Sequence, residues 1–131
     1  MQGKTFDFDI VREMAAALPD VKESRVRGGP SLWVHGTLLA CPAVHRSAEP
    51  NSVVVKIARE QRAKLIAEDP DVYYVTDHYV AYSSVLVRLG RIRRDALKTL
   101  LLMAWQFARE EAPRRAARKR SSGKRPRAAR P

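Results

Sequence analysis

A two-layer α+β domain, with a mainly antiparallel sheet and helices on one of its faces, is what the order of periodicities in this chain predicts. Three observations carry that prediction. Segments of helical spacing alternate with short β-branched runs in the order helix, three or four strands, helix, two strands, helix. The links between most strands are of hairpin length, which makes most pairings antiparallel. And there is room for one core only, because the last 18 of the 131 residues hold no large apolar side chain.

Residues 7–18 read as an amphipathic helix. Asp7 or Asp9 caps it, Ile10, Val11, Met14 and Leu18 form its apolar stripe, and Pro19 stops it. Residues 21–27 alternate loosely up to the breaker Gly28-Gly29-Pro30. Leu32-Trp33-Val34-His35 and Leu38-Leu39-Ala40-Cys41 then flank Gly36-Thr37, whose leading glycine suits a two-residue type II′ hairpin. In that register Leu32, Val34, Leu39 and Cys41 share a core face, while Trp33, His35, Leu38 and Ala40 share the other. Cys41 is therefore expected to be a buried, inert thiol.

Pro42 to Pro50 reads as a loop and Ser52 to Ile57 as a strand rich in valine. Residues 59–68 form a helix that Asp69-Pro70 ends, since the residue before a proline is pushed out of the helical region. Val72 to Thr76 and Ser83 to Leu89 are strands, and residues 77–82 between them suit a single turn. From Arg93 to Glu111 the residues Leu97, Leu100, Leu101, Ala104, Trp105 and Ala108 recur at helical spacing. Pro113 is expected to close this helix and to mark the end of the domain, residues 1–112, with 113–131 as a disordered polybasic tail.

Charge divides the chain at the same point. The whole carries 25 basic and 14 acidic residues, a net of +11. Nine of the basic residues fall after Pro113, namely Arg114, Arg115, Arg118, Lys119, Arg120, Lys124, Arg125, Arg127 and Arg130, with no acidic residue among them. The body is left with 16 basic against 14 acidic residues. A polycationic segment with nothing to bury meets polyanions, and here that points to nucleic acid, duplex DNA above all. Without Trp, Phe or Leu to insert, the tail is not suited to a membrane. Lys124-Arg125-Pro126-Arg127 partly resembles a minor-groove AT-hook but lacks its Arg-Gly-Arg order, so it reads as a general phosphate binder. One cysteine and no apolar leader segment suggest a cytoplasmic protein.

The order of motifs resembles the MmcQ/YjbR family. The resemblance lies in Ala-Leu-Pro-Asp-Val at 17–21, Gly-Gly-Pro at 28–30, the hairpin at 32–40, Val-Lys-Ile at 55–57, the block at 68–82, Val-Leu-Val-Arg-Leu at 85–89 and Ala-Trp at 104–105. It spans residues 7–112. It implies a small domain of secretion-chaperone-like or frataxin-like (CyaY-like) shape, a DNA-binding label inferred from shape, and no catalytic motif or cofactor. Many members have Gly-Tyr-Pro where this chain has Ala81-Tyr82-Ser83, and the tail lies outside the family domain.

Two surfaces of the body are candidates for function. The sheet face opposite the helices is expected to carry Trp33, His35, Val54, Lys56 and Arg88, a ring beside cations, as a nucleic-acid surface needs. His78, Tyr79 and Tyr82 put three polar-tipped rings on one irregular turn, a contact for a small ligand or a protein partner; the plainer expectation is that the tyrosines pack into the core and satisfy their hydroxyls locally. His35, Cys41, His45 and His78 lack zinc-like spacing, and no nucleophile motif or phosphate loop occurs, so no metal, cofactor or catalytic residue is expected. The reading is a DNA-binding domain of low sequence specificity, and the alternative is a protein-interaction or small-ligand module with an incidental tail.

Overall fold

The computed structural model describes residues 7–26 and 29–129, apart from the side chains of Val26 and of residues 112–129. Its elements are α1 (Phe8–Ala16), β1 (Val21–Val26), β2 (Gly29–Val34), β3 (Thr37–Pro42), β4 (Ser52–Lys56), α2 (Arg59–Glu68), β5 (Tyr73–Tyr74), β6 (Ser84–Arg88) and α3 (Arg94–Ala129). The six strands form one antiparallel sheet in the order β1-β2-β3-β4-β6-β5. The three helices pack on one face of it, which makes the two-layer α+β domain that the periodicities predict.

The core lies between that face and the helices. Val53 and Val55 of β4, Val85 and Val87 of β6, and Leu39 and Ala40 of β3 are sealed beneath Val11 and Ala15 of α1 and Leu97, Leu100, Leu101, Ala104 and Ala108 of α3. The apolar stripe of α3 runs across β2, β3 and β4, and α2 adds Leu65 and Ile66 at the margin. Asp7 caps α1 by accepting from the Asp9 N–H at 3.0 Å, which satisfies one of the free donors of the first turn. The indole N–H of Trp105 donates to the Pro19 carbonyl at 2.9 Å and ties α3 to the end of α1. Among the described residues no helix is long and apolar enough to cross a membrane.

The hairpin differs from its expected form. The loop is His35-Gly36, with φ of 50° and 81°, so both central residues take the left-handed conformation of a type I′ turn. Histidine is one of the few non-glycine residues that visit that region readily. Trp33 pairs with Leu38 and Leu32 with Ala40, so Leu39 is an extra residue, a β-bulge. The bulge turns both Leu39 and Ala40 into the core and sends Cys41 to the opposite face, where it pairs with Val54. The expected placement of Cys41 on the core face is thus corrected, and so is that of Ala40 on the open face. His35 leaves the sheet face for the turn.

Two boundaries also move. Gly29 and Pro30, expected as part of a breaker, open β2 and pair with Val26 and Arg25, while residues 27 and 28 lie outside the described set. The backbone of α3 stays helical past Glu111 and through Pro113 to Ala129, where the expectation was an end and a tail. Alanine, arginine and lysine favour a helix there, but the same stretch holds Pro113, Gly123 and Pro126, which oppose one, so residue propensity does not account for the continuation.

Candidate functional site

The face away from the helices is not bare. The loop from β3 to β4 and the segment from β5 to β6 fold over part of it and hold each other. The imidazoles of His45 and His78 stack at 3.6 Å with planes 5° apart. Tyr79 meets His78 edge-on at 4.7 Å, and its hydroxyl accepts from the His45 N–H at 3.2 Å. Ser47 Oγ lies 2.8 Å from both His45 Nδ1 and Thr76 Oγ1. Under this layer Val54, Leu86 and Tyr79 make a second, smaller cluster with Cys41, Ala43, Ala48, Tyr74 and Val75.

Three arginines secure the arrangement. The Arg88 guanidinium makes two 2.8 Å bonds to the Glu49 carboxylate, donates to the carbonyls of Pro70 and Asp71 at 3.1 Å, and lies 4.2 Å from the Tyr74 ring centre. From α2, Arg62 donates to the carbonyls of Tyr82 at 2.9 Å, Ser84 at 3.0 Å and Val80 at 3.4 Å, and Arg59 donates to that of Ala81. The turn expected at 77–82 forms, with the N–H groups of Tyr79 and Val80 both bonded to the Thr76 carbonyl. Its shape comes from α2 as much as from its own residues.

Between these layers the sheet leaves a cleft of about 280 Å³. Cys41, Val54 and Ser84 lie along its sheet side, Leu38, Val44 and Tyr82 border it, and His78 and Tyr79 close one wall. Lys56 supplies the one fixed positive charge among the lining residues. Tyr82 and Val44 at its border are respectively 58% and 65% exposed. Ser84 is buried, and its hydroxyl has no hydrogen-bond partner among the described residues. Burial pushes the Cys41 thiol above its ordinary value, so it stays protonated and a poor nucleophile.

His45 is held below the ordinary histidine value, by burial first and then by the charges of His78 and Arg46. A base whose folded value is lowered stabilises the fold above its unfolded value and loses that contribution as pH falls toward the folded one. Acidification below about pH 6.5 is therefore expected to loosen the loop that carries His45. An NMR titration of the ring protons checks this, with a His45 midpoint lower than that of a histidine in an unfolded peptide.

The residues expected on one nucleic-acid surface do not converge. Trp33 is half-buried on β2, and its indole N–H is taken by Ser24 Oγ and Ser31 Oγ, both at 3.1 Å. It borders a separate shallow pocket with Asp20, Lys22, Gly36 and His35, whose Nε2 lies 3.5 Å from Asp20 Oδ2. Arg88 is turned inward, as described. Lys56 lines the cleft, while its ammonium stands 5.9 Å from the ring centre of Phe107 on α3. By contrast, His78, Tyr79 and Tyr82 do come together. Tyr79 follows the plainer expectation, buried with a satisfied hydroxyl, whereas Tyr82 projects outward. Val44, His45, Ser84, Glu49 and Arg62 were not anticipated as site residues. The side chains of Arg114, Arg115, Arg118, Lys119, Arg120, Lys124, Arg125 and Arg127, and the whole of Arg130, lie outside the described residues.

These features define the class: an α+β domain whose open sheet face carries a small, mainly apolar cleft. No family model matches the chain, and no solved structure does. Among curated proteins, uncharacterised proteins of Mycobacterium tuberculosis and Mycobacterium bovis are 46% identical to it over 41 residues, which is 31% of this chain and 32% of each relative. The match spans about a third of the length of those relatives.

Proposed function

We propose that this chain binds duplex DNA with little sequence preference, mainly through phosphate contacts made by the basic residues between Arg114 and Arg130. The observation that carries this reading is the charge division: nine cations and no anion after Pro113, against near balance before it. Each phosphate neutralised releases condensed counterions, so such a segment supplies affinity without base readout. The hydrogen bonds that already engage Trp33 and Arg88 favour the C-terminal segment over the sheet face as the contact. The resemblance to the MmcQ/YjbR family leans the same way, and a cytoplasmic location agrees with it.

Fluorescence anisotropy with duplex DNA between 50 and 200 mM salt tests the reading, on the full chain and on a full-length variant with all nine tail cations changed to Gln. If most of the nine engage, log K should fall against log salt with a slope of about −5 to −8, and neutralisation should flatten it and weaken binding by about 10³-fold or more. Equal affinity and slope for the two proteins would remove the tail from the interface.

A second reading has its own observation. The cleft, with an unpartnered hydroxyl at its sheet side, favours a small-ligand module in which the tail is incidental.

A further inference from the structure

We propose that the cleft is a binding site for a small aryl or alkyl carboxylate, its apolar body against Val54, Leu38 and Tyr82 and its carboxylate held by Ser84 and Lys56. The inference rests on the small-ligand reading and is independent of DNA binding.

Ser84 and Lys56 are directly opposed on β6 and β4. Both lie on the open face, so their side chains leave the sheet side by side, about 5 Å apart at their roots. Ser84 is 4% exposed, and its Oγ has neither donor nor acceptor partner. Buried polar groups are almost always paired; the Ser84 Oγ is itself covered although its residue lines the cleft, so a ligand oxygen that completes its bonding must first shift the neighbouring side chains. Thr37, whose hydroxyl is the other such orphan among the described residues, does not line the cleft.

Charge selects the ligand class. Lys56 carries a positive charge, and among the described residues no carboxylate lines the cleft. An anion therefore meets attraction there and no like charge. The Lys56 ammonium rests only loosely over Phe107, at 5.9 Å, and its four-carbon stem can bring it to a carboxylate whose other oxygen accepts from Ser84. A phosphate monoester would bring a dianion to a lining whose one fixed positive charge is that of Lys56. A monocarboxylate matches the donors present. The remaining lining of valine, leucine, proline and aromatic rings calls for an apolar body, and about 280 Å³ sits just below the usual range for drug-sized ligands.

The test uses the full-length chain, 2-naphthoate as probe and 2-naphthalenemethanol as its uncharged counterpart, followed by ¹H–¹⁵N NMR and calorimetry. Saturable shifts are expected at residues 41–44, 54–56 and 78–84, with the alcohol bound at least tenfold more weakly. Lys56→Gln should weaken naphthoate about tenfold and leave the alcohol unchanged. Ser84→Ala should weaken naphthoate several-fold while the free protein melts no lower, because an unpaired hydroxyl has been removed. The variant lacking the nine tail cations should bind as well as the parent, which separates this result from the DNA reading. Equal binding of acid and alcohol, an unchanged affinity in Lys56→Gln, shifts confined to the tail, or no shift at millimolar naphthoate would each overturn the assignment.

Discussion

Replacing Arg88 by Met is expected to cost the domain about 2–3 kcal/mol and to release the loop between β3 and β4 from the sheet. Methionine keeps an unbranched stem against Tyr74 but removes two bonds to Glu49 and two to the carbonyls of Pro70 and Asp71. Hydrogen bonds to charged donors each contribute about 1.5–3 kcal/mol when sheltered, and part of that returns through hydration of the half-exposed Glu49. The Arg88 side chain is 22% exposed, sheltered enough for the larger share to be lost. The difference should depend on pH. The bonds from Arg88 hold the Glu49 carboxyl below its ordinary value, so the bridge contributes fully above that value and is lost as pH falls through the lowered one. Urea melts of parent and variant at pH 7 and near pH 3 read this directly: the gap in stability should narrow in acid. A constant gap would show that the stem packing, and not the ion pair, holds the loop.

Leu101→Ala is expected to be the more damaging change, at about 2–5 kcal/mol. Leu101 is 1% exposed, on the stripe of α3 that covers the sheet, and truncation leaves a void that rigid strands cannot close. In a single domain whose total stability is about 5–15 kcal/mol, this is a large fraction, equivalent to a fall in Tm of about 10 °C or more. The next residue supplies the control. Leu102 is 44% exposed, and Leu102→Ala should stay within about 0.5 kcal/mol of the parent. Similar losses at both positions would mean that α3 is seated on the sheet in a different rotation.

The contrast between neighbouring leucines was legible in the sequence, because a helix repeats its buried face every three or four residues and Leu97, Leu100, Leu101, Ala104 and Ala108 obey that spacing. The bounds of α2 were legible for a different reason, since Asp69-Pro70 forbids its continuation. The hairpin was half legible. Its existence followed from two apolar runs around a glycine, but Leu38-Leu39-Ala40-Cys41 is apolar throughout and contains no alternation to betray a bulge. One inserted residue then decides which face Cys41 occupies.

The candidate site was legible only as a cluster of rings at 78, 79 and 82. Its other parts come from distant segments: Cys41 and Val44 from β3 and its loop, Lys56 from β4, and Arg62 from α2. The stacking of His45 on His78 joins residues 33 apart, and no local pattern encodes such a contact. The orphan state of Ser84 is likewise a property of the packed structure, since a serine in a strand usually finds a partner.

The limits of the sheet bear on how this domain keeps to itself. Its outermost strands are β1 and β5. A free strand edge is a template on which another chain can lay a further strand, the first step toward fibrils and swapped dimers. Here one edge is only two residues long, and the other presents Lys22, Glu23 and Arg25 in close succession, with Glu23 tied to Arg12 of α1 at 3.1 Å. A docking strand would find too little backbone on one side and would have to bury charge on the other. Neither edge of the described sheet therefore favours the addition of a further strand.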